Sequence, residues 1–117
     1  MTQFRKLSIT DKVLLYDGDK CKLVSLSDVR FFQTFGNYSK TYFNSGMLII
    51  NRTLNHLESK LPGDYFFRAN RQYIINLTHV SNVVPVGHSA FRIIMNCGKE
   101  IDISRRRSQI FRDALIL

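Results

Sequence analysis

Three consecutive arginines, Arg105-Arg106-Arg107, directly follow Ser104, a residue suited to cap a helix. An apolar pattern of helical period comes next, so the arginines fall in a first helical turn. That is an unfavourable place for cations. Unpaired backbone N–H groups and the macrodipole already make the end positive, and each added cation costs about 0.3–1 kcal/mol. An anion docked on the same turn reverses the sign, because N–H donors and guanidinium groups then converge on it. The triplet is a phosphate-binding candidate. The plainer reading is three solvated arginines, one of them paired with Asp102 or Glu100.

Two further segments carry recognition chemistry. Arg68-Ala69-Asn70-Arg71-Gln72 gathers the side chains that pair with base edges, Arg with guanine and Asn or Gln with adenine. It lies between apolar runs that would hold it on a rigid scaffold, although taken alone an ordinary polar turn is the slightly better reading. Gly36-Asn37-Tyr38-Ser39-Lys40 offers a turn with polar tips, and a plain β-turn is the competing reading.

Catalytic patterns are weak by comparison. His56, His79 and His88 lack metal-ligand spacing among themselves, and neither a phosphate-binding glycine loop nor a nucleophile elbow is present. Cys21 and Cys97 are isolated, without the CxxC spacing of a zinc site, and read as buried or free thiols in a reducing compartment. The acids are dispersed. A nuclease would have to gather some of them, such as Asp64 and Glu100, around a metal. The sequence implies no cofactor and no enzyme.

The charge balance agrees with an anionic partner. Seventeen Lys and Arg against nine Asp and Glu give +8. Between Val29 and Lys99 the acids are only Glu58 and Asp64, against eight basic residues. Such an excess suits nucleic acid, an anionic membrane or an acidic protein. The sequence start lacks an apolar signal stretch and no apolar run is long enough to span a bilayer, so a cytoplasmic location without a membrane partner is expected.

The elements that must position these segments are mostly strands. With 117 residues, 44% of them hydrophobic, the chain reads as one domain over 1–117. Strands are expected at 13–16 and 20–25 around Asp17-Gly18-Asp19, with Cys21, Leu23 and Ser25 alternating against Lys20 and Lys22. A meander follows over 29–35, 38–43 and 47–50, then a helix over 53–61 with Leu54, Leu57 and Leu61 on its core face, capped by Asn51 or Thr53. Further strands are expected at 73–75, 81–86, 91–95 and 99–103, and Ile101 and Ile103 should point inward. In the terminal helix, Ile110, Ala114 and Leu117 form a stripe widened by Phe111 and Leu115. The expected class is mainly β: antiparallel sheets of nine to ten short strands, one short internal helix and a C-terminal helix.

Four segments in register resemble one family. Phe67-Arg68-Ala69-Asn70-Arg71-Gln72-Tyr73-Ile74-Ile75-Asn76 is similar to the signature F-R-x-H-R-S-[YF]-[IL]-V-N of the LytTR-type DNA-binding domain. Asp28-Val29-Arg30-Phe31-Phe32 with Gly36-Asn37-Tyr38, Arg52-Thr53-Leu54 through Leu61, and Gly98 through Arg105 resemble its other segments in order and spacing. Together they cover roughly residues 7–115, essentially the whole chain.

The resemblance implies an output domain of bacterial two-component regulators that controls transcription. Loops, rather than a recognition helix, would enter successive major grooves of duplex promoter DNA, with two copies on a direct repeat and RNA polymerase as a further partner. By position it implies base or near-base contacts at Asn37, Tyr38, Ser39, Asn70, Arg71 and Arg105, and phosphate contacts at Lys40, Gln72, Arg106 and Arg107. Asn70 and Gln72 replace the family's His and Ser, which bears on the preferred base sequence. The chain has no room for the receiver domain many relatives carry, so it reads as a stand-alone regulator or a fragment of a longer one. The competing classes are an RNA or single-strand module stacking bases on Phe35, Tyr38 or Tyr42, where core packing is the plainer role, a small nuclease, and an adaptor for acidic proteins.

Overall fold

A computed structural model of the protein describes residues 6–117, so residues 1–5 of the one-domain reading lie outside the described residues. Strands β1 (Lys12–Asp17) and β2 (Lys20–Ser25) form a hairpin. After a one-turn 3-10 helix come β3 (Val29–Phe35), β4 (Tyr38–Phe43) and β5 (Gly46–Ile50), the expected meander. Helix α1 (Leu54–Lys60) precedes β6 (Phe66–Arg68) and β7 (Tyr73–Asn76). The last two strands complete a central sheet of order β5-β4-β3-β7-β6. A second 3-10 turn leads to β8 (Val80–Val86), β9 (Ala90–Met95) and β10 (Glu100–Ile103), which form a three-stranded sheet, and the chain closes with α2 (Arg105–Leu115). The described residues thus form ten strands, all paired antiparallel, in three sheets.

The central sheet is buried on both faces, and period-2 alternation decides which residue goes where. Phe32, Phe43, Ile50 and Ile74 face the β1–β2 hairpin and α1, meeting Leu15, Val24, Leu54 and Leu61. Phe31 and Ile75 face the other way, onto Ile93, Met95, Ile101, Ile103 and Phe111. Each of these side chains, fully removed from water, stabilises the fold by about 1.5–3 kcal/mol. Thr53 caps α1 by accepting from the His56 N–H at 3.2 Å. Asn76, fully buried, donates to the Val29 carbonyl at 2.8 Å and accepts from Thr78, so the last residue of the signature string stitches β7 to β3.

Thr41 shares the buried face of β4, and its hydroxyl has no hydrogen-bond partner among the described residues. Such a group costs about 1–3 kcal/mol relative to an apolar isostere. Thr41→Val is therefore expected to stabilise the protein by about 1 kcal/mol, read as a higher urea midpoint. A lower midpoint would show that the hydroxyl is satisfied in solution.

Three packing expectations fail. In β2 it is Val24 that is buried, while Cys21 and Leu23 point outward and Cys21 is an exposed free thiol. In α2 the inward residues are Ser108 and Phe111, whereas Ile110, Ala114 and Leu115, and Leu117 beyond the helix end, are exposed. Phe111 sets that roll of the helix by packing between Phe67 and Phe91, with centroids 5.3 and 5.7 Å away. Tyr42 packs as expected, stacked on Phe31 at 4.5 Å, but Phe35 and Tyr38 stand half out of the protein at the sheet end.

Candidate nucleic-acid interface

The register of the central sheet brings several loops to one end. Phe35 lies opposite Tyr38, Gln33 opposite both Lys40 and Tyr73, and Ser39 opposite Ile50. The β3–β4 turn, the exit from β5 and the β6–β7 loop therefore leave the sheet together. The Thr34 N–H donates to the Gln72 carbonyl at 2.9 Å, locking hairpin to loop, and the Ser104 N–H donates to the Ala69 carbonyl at 3.0 Å, which brings in the start of α2.

Between the β6–β7 loop and the first turn of α2 lies an open cleft of about 680 Å³, lined by Arg68, Asn70, Arg71, Gln72, Ser104, Arg106 and Arg107. Among the described residues no carboxylate lines it. The acids nearest in sequence are engaged elsewhere. Asp102 meets Arg92 at 2.7 Å and Glu100 approaches the same Arg92 at 3.9 Å. The Asp102 hydrogen bond, then its charge, raises the Arg92 pKa above its usual value. Neither acid forms an ion pair with Arg105, Arg106 or Arg107 among the described residues, so the arginine-paired alternative does not hold.

The cleft is shaped by residues that do not all face outward. Arg68 is a clamp. Its Nε donates to the Asn70 carbonyl at 2.7 Å and its Nη2 to the Arg71 carbonyl at 3.1 Å. Its Nη1 donates to Asn55 Oδ1 and Glu58 Oε1 of α1, each at 3.0 Å. One of the two mid-chain acids is thus tied to the loop, and α1 braces it. Asn70 is equally committed. Its Oδ1 accepts from the N–H groups of Gln72 and Tyr73 at 2.7 and 3.1 Å, an Asx-type turn, and its Nδ2 donates to the Asp102 carbonyl at 2.6 Å. Arg107 donates from Nε to the Arg68 carbonyl at 2.9 Å and lies over the Phe67 ring at 5.0 Å. Arg71, Gln72, Arg105 and Arg106 have exposed side chains. Ser104 caps α2 through the Arg107 N–H at 3.2 Å.

At the hairpin, Gly36 has a φ of +60° while Asn37 stays negative, the pattern of a two-residue type II′ turn with glycine first. Asn37 sits exposed at the tip. Lys40 places its Nζ 4.8 Å from the centre of the Phe35 ring. The Ser39 expectation is not met: strand alternation turns this residue inward with Thr41, it is fully buried, and its hydroxyl donates to the Arg52 carbonyl at 2.6 Å. The sequence reading also missed Arg68 as an organiser. Its signal was Glu58, an acid in a stretch otherwise nearly free of them.

No group of three or more His, Cys, Asp or Glu side chains converges to hold a metal among the described residues. No helix among them is long and apolar enough to cross a membrane.

Comparison with known proteins agrees with this geometry. The LytTr DNA-binding domain family matches residues 19–116. The chain is 29% identical over 99 residues to sensory transduction protein LytT of Bacillus anthracis, covering 85% of this chain and 37% of that protein. It is 24% identical over 106 residues to the heme-containing CO-sensing transcriptional regulator RcoM 1 of Paraburkholderia xenovorans, covering 89% of this chain and 39% of that protein. It thus spans well under half the length of these curated relatives. A solved LytTr DNA-binding domain from Bacillus cereus superposes with a TM-score of 0.82 at 25% identity, covering 91% of this chain and 97% of that one.

Proposed function

The chain belongs to the LytTR family of DNA-binding domains, typically non-catalytic parts of transcriptional regulators, and from that premise we propose that it recognises duplex promoter DNA by sequence through the loops at one end of its central sheet. The observation that carries this reading is the acid-free cleft in which the β6–β7 loop meets the first turn of α2. Exposed Arg71 and Arg105 are disposed to reach base edges, as is the amide of Gln72, which the family resemblance assigns to a phosphate, and Arg106 is disposed to reach a phosphate. Asn37, Tyr38 and Lys40 make the hairpin a second probe beside them. Asn70 positions the loop rather than reads DNA, since its side-chain oxygen and nitrogen already serve the protein, whereas Arg107 braces the loop through Nε and keeps its Nη groups for a phosphate. Two copies on a direct repeat follow from the family resemblance.

Selection from a pool of random duplexes, followed by binding to the enriched and scrambled sequences over a salt series, tests this reading. The expected result is an enriched motif bound with a steep, linear log–log salt dependence. Weak binding to any polyanion with no motif would instead point to an RNA or acidic-protein partner. In the same assay Arg106→Ala should reduce the salt slope by about 0.9, the share of one phosphate contact, and weaken both DNAs alike. An unchanged slope in a folded variant would remove Arg106 from the interface.

A further inference from the structure

The half-exposed aromatic pair at the hairpin tip is not explained by packing. Phe35 and Tyr38 are 49% and 46% exposed and lie directly opposite each other across the two-residue turn. They share a sheet face with Lys40, continuing outward the line that begins with buried Phe31 and the half-buried Tyr42 stacked on it. With Tyr16 and Ile49 they border a notch of about 520 Å³, whose polar lining includes Asn51 and a single acid, Asp17. The hairpin is fixed to the reading loop by the bond between the Thr34 N–H and the Gln72 carbonyl. A β6–β7 loop engaged with base edges would therefore carry the tip with it. The major groove is wide enough for a two-stranded ribbon, and its apolar feature is the C5-methyl group of thymine.

We propose that Phe35 and Tyr38 read thymine methyl groups in the major groove, beside the base edges contacted from the β6–β7 loop. This rests on the duplex-recognition reading above and adds a base-specific contact to it. Stacking of an unpaired base is the other use of an exposed aromatic, but the Lys40 ammonium already lies over one face of the Phe35 ring. The two side chains also form one continuous apolar surface, being directly cross-strand neighbours on the same face. Such a surface suits compact methyl groups, whose burial each strengthens binding about fourfold.

The test uses the duplex enriched by selection, with each thymine replaced in turn by deoxyuridine, which removes only the methyl. For the unaltered protein, one or two positions should each lose about fourfold in affinity. Phe35→Ala should bind thymine and deoxyuridine duplexes alike at those positions, while Phe35→Leu, still apolar, should retain part of the difference. Equal affinity for every deoxyuridine duplex, or an undiminished difference in folded Phe35→Ala, overturns the assignment. So does a Phe35→Ala effect confined to a single-stranded competitor, which would assign the ring to base stacking. Failure to enrich any duplex would overturn the recognition reading as well, whereas an enriched duplex indifferent to methyl removal overturns only the role of the tip.

Discussion

Replacing Arg68 with alanine is expected to collapse discrimination between the enriched and scrambled duplexes while leaving much of the salt-dependent binding common to both. The side chain is 15% exposed, and its guanidinium holds the carbonyls of Asn70 and Arg71 from beneath the reading loop. Removing it strands those carbonyls and leaves Asn55 and Glu58 without the group that ties α1 to the loop. Hydrogen bonds to a charged donor contribute about 1.5–3 kcal/mol each, so the variant should also be destabilised by about 2 kcal/mol in a urea titration. Lysine should not rescue it. An ammonium on a flexible stem cannot reproduce the planar fork that reaches two carbonyls and two side chains at once. Glu58→Gln makes the informative contrast. The Glu58 carboxylate is 46% exposed and glutamine keeps an acceptor for Arg68, so the loss should stay below about 1 kcal/mol. If Arg68→Ala folds and discriminates like the parent protein, the clamp does not set the loop.

The contrast between what the chain's pattern announces and what it hides has physical causes. Turn residues such as Asp17-Gly18 and Gly36-Asn37 punctuate the strands so clearly that their order and most bounds, to within a residue, can be read directly, but β6, only three residues long, carries too little alternation to be read as a strand. The inward face of a strand is harder where both alternating sets contain apolar residues. In β2, Cys21-Lys22-Leu23-Val24 satisfies either phase, and the chain buries Val24 because α1 and β3 lie on that side. Helix α2 carries a broad apolar stripe of Ile110, Phe111, Ala114 and Leu115, and the ring packing of Phe111, a tertiary fact, chooses which edge of it faces the core.

The site shows the same division. The types at Asn70, Arg71 and Gln72 suit both base edges and a self-bonded turn, and only the Asp102 carbonyl, 32 residues away, commits Asn70 to the turn. Ser39 was open to better reading. Its period-2 companions Thr41 and Phe43 mark the inward face of β4 without any structure. Arg107 lay beyond such reasoning, because three adjacent arginines look alike until one finds the Arg68 carbonyl and the Phe67 ring.

Once Asn70, Arg68 and Arg107 are assigned to holding the loop, Arg71 is the side chain it presents. Its guanidinium is exposed and has no partner among the described residues, while its own carbonyl is pinned by Arg68. A flexible cation on a fixed backbone is well placed for a bidentate contact to guanine, which discriminates by about 1–3 kcal/mol. Arg71→Ala should thus lower the ratio of affinities for the enriched and scrambled duplexes by roughly ten- to a hundredfold, with the loss concentrated at one base position when the selection is repeated. Stability should change by less than about 0.5 kcal/mol, because the replaced atoms touch solvent rather than core. That separates it from Arg68→Ala, which affects stability and discrimination together, and from Arg106→Ala, which weakens both DNAs equally. Arg71→Lys should keep the salt slope yet recover little discrimination, since an ammonium supplies the charge without the fork. Should Arg71→Ala weaken both DNAs by the same factor, Arg71 touches phosphate instead, and the sequence-reading role passes to Gln72 in the same loop and to exposed Arg105 at the start of α2.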